Sequence, residues 1–294
     1  MTVSNHTITT ADGRNLEIAT MGPETGKTVV MHHGTPGSLL TLQAHAQAMA
    51  DHDFFFVFYS RAGYGLSDRR EGRSVGDVVE DIRAALDFLG RDEYVAVGWS
   101  GGGPHALACA ALDAPRCRGA ISLAGVAPYG DDFDWTEGMA EENKAEFAAT
   151  LQGGPVFDEA IRKEAEALKL ATADTIIETF GGLLSAPDIA TLESEESRQD
   201  FANDTSHAFS VSHYGFYDDN RAMVQPWGFA PSDITVPVGL WFGDNDNMVP
   251  ATHGQWLAAH IATATPHFHP AEGHLSVITE YRGDIANEIE SFFA

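Results

Sequence analysis

Tyr94-Val95-Ala96-Val97-Gly98-Trp99-Ser100-Gly101-Gly102-Gly103-Pro104 is the stretch on which the fold turns. Its first five residues form a short apolar run of the kind buried on both faces of a parallel sheet. Residues 102–112 then read as helix, so the G-x-S-x-G word at 98–102 lies at a strand-to-helix turn, the context this motif requires. A turn that tight would drive side chains two positions either side of Ser100 into collision, which explains Gly98 and Gly102. The Ser100 hydroxyl then projects from the sheet end. The next helix points its N-terminus at the same place, so the Gly101 N–H can donate to an oxygen that gains negative charge. A glycine-rich helix entry that binds an anion, or nothing, is the alternative from this word alone.

Working outward, residues 7–10 and 16–21 are β-rich and joined by Ala11-Asp12-Gly13-Arg14, a hairpin signal. Residues 28–32, 54–59 and 120–124 are further buried-strand runs. Residues 39–50 and 75–89 are helical, the latter with Val75, Val78, Val79, Ile82, Ala85, Leu86 and Leu89 on one face and Ser74 as its cap. Strand alternates with helix, which predicts an α/β fold with a mostly parallel central sheet flanked by helices. After Gly125 the alternation stops. Residues 128–230 show helical periodicity without strands and read as an insertion, with Glu193-Ser194-Glu195-Glu196-Ser197 a surface turn or helix start. That segment carries 21 acidic and 6 basic residues, a charge density typical of solvated faces. The pattern resumes with a strand at 236–242, a helix at 251–261, a strand at 267–269 and a helix over 278–293. The expected division is a core of 1–127 and 231–294 with an inserted segment at 128–230.

Composition narrows the function classes. The chain has 294 residues, 44% apolar and 20% charged, which suits a folded domain with a large core. Seventeen Lys and Arg against 43 Asp and Glu give a net charge of −26, repelling phosphate backbones and anionic lipid. Nucleic acid and membrane are therefore not expected partners; a small-molecule substrate is. Cys109 and Cys117 are too few for a disulfide framework and read as apolar filling. No apolar run approaches 18 residues and the N-terminus lacks a leader pattern, so a cytoplasmic location is expected. No metal-ligand spacing and no phosphate-loop or dinucleotide motif stands out, so neither metal nor cofactor is expected.

Ser100 needs partners. His33-Gly34-Thr35-Pro36-Gly37 follows a strand, its glycines permit irregular backbone, and the Thr35 N–H is the candidate second donor, since Pro36 has none. For a general base, His274 stands apart among thirteen histidines because Glu272-Gly273-His274-Leu275 lies between the last strand and last helix, at the carboxyl edge where Ser100 also sits. His267 and His269 read as one packed and one solvated residue. Asp244 and Asp246 both follow the strand at 236–242; Asp246, further into the loop, is the one placed to reach the imidazole. Trp99 and His33 are candidate substrate contacts. Seven aromatics between 201 and 229 (Phe201, Phe209, Tyr214, Phe216, Tyr217, Trp227 and Phe229) either line an apolar pocket or pack helices onto the core.

The order Ser100, Asp246, His274, with the elbow, the H-G-x-P loop, the G-D-x-D-x-x-V-P loop and the late G-H, resembles the α/β-hydrolase fold superfamily across nearly the whole chain. Arg61-Ala62-Gly63-Tyr64-Gly65-Leu66-Ser67 is similar to that family's turn after its fourth strand, with Ser60-Arg61 where Asp-Arg is commoner. The resemblance implies that residues 128–230 are a helical cap over the active site. Serine at the elbow points away from relatives with a carboxylate nucleophile and toward a serine esterase using a Ser-His-Asp triad. C–C bond hydrolysis, aminopeptidase or cofactor-free perhydrolase chemistry, or a noncatalytic receptor, remain the alternatives.

Overall fold

In a computed structural model that describes every residue except Asp131, eight strands form one sheet in the order β1-β2-β4-β3-β5-β6-β7-β8. The hairpin of β1 (Val3–Thr9) and β2 (Asn15–Met21) turns at Gly13, whose φ of +86° suits glycine. β2 also pairs antiparallel with β4 (Phe54–Tyr59). Every later pairing is parallel, through β3 (Lys27–His32), β5 (Tyr94–Trp99), β6 (Cys117–Leu123), β7 (Val238–Gly243) and β8 (Ala264–His269). β4, β5 and β7 are buried throughout, as continuous apolar runs covered on both faces must be.

One face of the sheet carries α2 (Val78–Leu89), α3 (Gly102–Leu112) and α10 (Ala251–His260); the other carries α1 (Gln43–Ala48) and α11 (Ser276–Ser291). α2 buries Val78, Val79, Ile82, Ala85 and Leu86, the stripe its 3.6-residue period sets out, at about 1.5–3 kcal/mol for each large side chain. It ends at Gly90, whose φ of +65° turns the chain away. Its start differs from the sequence expectation. Asp77, not Ser74, stands at the N-cap, and the Asp77 carboxylate accepts hydrogen bonds from the Ser74 N–H (2.7 Å) and hydroxyl (2.9 Å). The Ser74 hydroxyl is thus used as a donor to Asp77 and caps nothing, and residues 75–77 lie in a turn before the helix. α1 is likewise shorter than the helical pattern, because residues 39–42 form turns that tuck Leu39 and Leu42 into the core.

Between β6 and β7 the described residues form helices only: α4 (Glu141–Gln152), α5 (Gly154–Leu170), α6 (Ile176–Phe180), α7 (Ala186–Thr191), α8 (Glu195–Ala208) and α9 (Tyr214–Met223). α8 starts as the sequence indicates, with the Ser194 hydroxyl accepting the Ser197 N–H. Phe157, Ile161, Leu168, Phe180, Phe209 and Phe216 give these helices an apolar cluster of their own. His267 and His269 lie two apart on β8, hence on one face, and both stack on Trp241 at 4.0 and 5.4 Å. The expected contrast between them is absent because a strand repeats every two residues. Cys109 and Cys117 are free and buried.

Candidate active site

Ser100 follows β5 and immediately precedes α3 with φ +55°, a left-handed conformation that a serine holds only where its surroundings impose it. The surroundings are backbone. A Cβ on Gly98 would strike the Gly102 carbonyl, and one on Gly102 would strike the His32 carbonyl. The Ser100 N–H donates to the Leu123 carbonyl (2.8 Å), and its own carbonyl accepts from the Gly103 N–H (2.8 Å). The imidazole of His105, one turn into α3, donates from Nδ1 to the Gly101 carbonyl at 2.7 Å. Burial and the nearby Arg61 cation keep that ring neutral, its pKa lowered to about 3.

His274 and Asp246 meet from loops at the carboxyl ends of β8 and β7. Nδ1 of His274 donates to Asp246 Oδ2 at 2.7 Å, and both side chains are buried. The other carboxylate oxygen accepts the Met248 (2.7 Å) and Val249 (2.8 Å) N–H groups, so the Asp246 rotamer is fixed from both sides. With Nδ1 carrying the proton, Nε2 holds a lone pair, and it has no hydrogen-bond partner among the described residues. Burial opposes charging of this ring, but the Asp246 carboxylate outweighs it and raises the pKa above the ordinary 6.5. No hydrogen bond joins Ser100 Oγ to His274 Nε2 in this arrangement.

Ser100 opens into a cavity of about 110 Å³. Its inner wall is Thr35, Pro36, Ser100, Gly101, Met248 and Val249; its outer wall comes from α4, α5, α6 and α9, including Glu146, Phe147, Glu164, Leu168, Phe180, Asn220 and Met223. The Thr35 and Gly101 amides both border this space, and neither donates to a protein acceptor among the described residues. A Cβ on Gly101 would collide with the Thr35 Oγ1, so the two donors are held within a side chain's breadth of each other.

Two candidate substrate contacts, Trp99 and His33, are not among the residues that line this cavity. Trp99 is buried outside this cavity, its indole N–H donating to the His274 carbonyl at 3.2 Å with the rings 5.3 Å apart. His33 is buried beneath the loop: its Nδ1 donates to the Gly34 carbonyl (2.7 Å) and its Nε2 accepts the Arg61 N–H (3.0 Å). Both brace the site rather than border it. Nor do the seven aromatics of 201–229 line the cavity: Phe209, Phe216 and Trp227 are in apolar cores, Phe201 stacks on Phe180 (4.7 Å), and Tyr214 lies under the Arg69 guanidinium (3.9 Å). The aromatic lining is Phe147 and Phe180 instead.

Sequence reading missed the polar struts. Arg61 is buried and donates to the His33 carbonyl, the Gly34 carbonyl (2.7 Å), Thr35 Oγ1 (3.0 Å) and the Asp219 carboxylate of α9 (2.6 Å). Asp219 also accepts from the Thr35 hydroxyl (2.7 Å) and Tyr64 (3.0 Å), and pairs with Arg73 (2.6 Å). The loop that carries the Thr35 amide is thereby tied to α9. On the opposite side Asp188 of α7 accepts the Leu275 (2.7 Å) and Ser276 (3.1 Å) N–H groups and so grips the loop bearing His274. No word along the chain marks either strut: the departure in the turn motif is at Ser60, whose hydroxyl donates to Glu17 (2.7 Å) instead.

The comparisons agree with this architecture. Residues 27–281 match the family described as the alpha/beta hydrolase fold. A non-heme chloroperoxidase from Streptomyces lividans is 27% identical over 165 residues, 51% of this chain and 60% of that protein. A bifunctional esterase/perhydrolase from Acinetobacter calcoaceticus is 25% identical over 164 residues, 51% and 59% respectively. The matched stretch thus spans about three fifths of these relatives. Among solved structures, a hydrolase from Pseudomonas aeruginosa superposes with a TM-score of 0.71 at 20% identity, covering 99% of this chain and 98% of the other, a likeness of fold. With the family matched over most of its length and the sheet ordered as described, the chain belongs to the alpha/beta hydrolase fold family.

Proposed function

We propose that the protein is a serine hydrolase that cleaves a small carboxylic ester through an acyl-enzyme. Ser100 Oγ attacks the acyl carbonyl while His274 Nε2 takes its proton, and Asp246 holds the tautomer and offsets the imidazolium charge. The Thr35 and Gly101 amides receive the oxyanion, one such donor being worth about 2.7–4 kcal/mol in the transition state. His274 then protonates the leaving alcohol, and water deprotonated by the same ring releases the acid. Residues 128–230 serve as a lid in this scheme, since four of their helices supply the outer wall of the cavity.

The observation that carries this reading is the enclosed His274–Asp246 hydrogen bond, which leaves a buried, unpartnered Nε2 in a protein whose cavity holds a conformationally strained serine. The scheme requires Ser100 Oγ to swing into reach of Nε2, a contact that commonly tightens once substrate is bound. A fluorophosphonate should label a single residue, Ser100, and the Ser100→Ala variant should be silent; labelling elsewhere, or none, would overturn the assignment. The names of the Streptomyces and Acinetobacter relatives favour one second reading, transfer of the acyl group from Ser100 to hydrogen peroxide instead of water. Peracid released from acetate and peroxide would reveal it.

A further inference from the structure

Among the described residues lining the cavity the only ionisable ones are Glu146 of α4 and Glu164 of α5, with no Lys, Arg or His. Buried acids elsewhere in the molecule are partnered. Glu17, Asp81, Asp113 and Asp218 each meet His207 or an arginine, and Asp188, Asp204 and Asp246 accept several hydrogen bonds. Glu146 and Glu164 have no ion pair among the described residues, and Asn220, which lines the cavity with them, donates its amide to the Phe216 carbonyl (3.2 Å). Burial, and for Glu146 also its neighbour's charge, pushes both carboxyls up, Glu164 to about 7. Both glutamates are half-buried, and they line the cavity with no cation of the described protein residues beside them.

We propose that the site takes substrates bearing a primary or secondary ammonium group, which sits between Glu146 and Glu164 while the scissile carbonyl lies at Ser100. This rests on the serine-hydrolase reading and names its substrate class. An ammonium presents two or three N–H donors to two acceptors on adjoining helices, and its charge replaces their mutual repulsion with attraction on both sides. A metal ion fits less well: the described residues include no group of three or more His, Cys, Asp or Glu placed to hold one. Phe147, Leu168 and Phe180 supply an apolar passage for the carbons between the two ends.

The test uses isosteric ester pairs: ethyl glycinate against ethyl propanoate, ethyl β-alaninate against ethyl butanoate, and ethyl 6-aminohexanoate against ethyl heptanoate. For the best-matched length, kcat/KM should favour the ammonium ester by about tenfold, the scale of one charge-assisted contact. In E146Q/E164Q that preference should fall by about tenfold, and in E164Q alone by less, which serves should the double variant not fold. Equal rates within every pair in the wild type, or a preference that survives in E146Q/E164Q, would overturn the proposal. Fluorophosphonate labelling of Ser100 is read in parallel. Labelling with no ammonium preference defeats only this inference, whereas loss of labelling defeats the hydrolase reading beneath it.

Discussion

Asp219 of α9 and the pair Glu146 of α4 and Glu164 of α5 are carboxyls from one helical segment between β6 and β7, yet the fold handles them oppositely. Burial disfavours the Asp219 charge, but the Arg61 and Arg73 guanidiniums hold its carboxyl well below the ordinary range, so it stays ionised and immobile. Its negative charge is consumed in fixing where the Thr35 loop lies. Glu146 and Glu164 have no such cations, and their carboxyls are pushed up instead. The lesson is that an acid withdrawn wholly or partly from water should be read by its partners. Where the chain supplies the cation the acid is architecture; where it does not, the charge remains available to something that enters.

Both readings assume one reaction centre, so the deepest break is at the nucleophile. Ser100→Ala should lower ester turnover by roughly 10⁶-fold, as removal of a triad nucleophile does elsewhere, with an unchanged melting temperature. Residual turnover near wild type would leave the two acid sets facing nothing. Asp219→Asn comes next. It strands two buried arginines, which should cost about 3–5 kcal/mol in urea unfolding, while Glu146→Gln should cost nothing or stabilise. Equal losses in the two variants would erase the contrast. Arg61→Lys keeps the charge but not the fork that spans two carbonyls and a carboxylate, and a slackened Thr35 loop should lower kcat by about 10- to 100-fold with KM little moved.

Two pH effects are smaller and differ in sign. His274 must be neutral to accept the serine proton, and because its pKa is raised, kcat/KM should fall on acidification with a midpoint above 6.5. A profile flat through that region would remove His274 from the base role. For the glutamate pair the folded state binds protons more tightly than the unfolded chain. Its stabilising contribution is therefore full below the unfolded value of 4.5 and is lost as pH rises through about 7, the folded value of Glu164. The polar residues that line the cavity with the pair include Asn143, Thr179 and Asn220, with no cation among the described lining residues. The melting temperature of E146Q/E164Q should accordingly exceed that of the wild type at pH 8, with the gap closing toward pH 4.5.

Much of this molecule is legible along the chain because the signals are local. The apolar runs at β3, β4, β5 and β7 announce a buried parallel sheet, and the elbow, the H-G-x-P loop and the late G-H each lie at a strand end, so the positions of Ser100, Thr35, Asp246 and His274 follow from short words. The differences are also local: the Ser74 hydroxyl donates to Asp77 instead of capping the helix, and period two puts His267 and His269 on one face. What stayed hidden were pairings across distance. Arg61 and Asp219 are 158 residues apart, Asp188 and Leu275 are 87 apart, and nothing in the neighbourhood of any of the four declares its partner.

The sequence by itself determined the α/β alternation, the strand-turn-helix at Ser100 and the acidic helical insertion, since backbone propensity, hydrophobic period and glycine geometry act over a few residues. Tertiary structure decided which of the many acids are neutralised by arginine and which are left facing the cavity. That choice depends on burial and on charges brought together by chain folding, and electrostatic energy at such sites is set by distance through space, to which spacing along the chain gives no access.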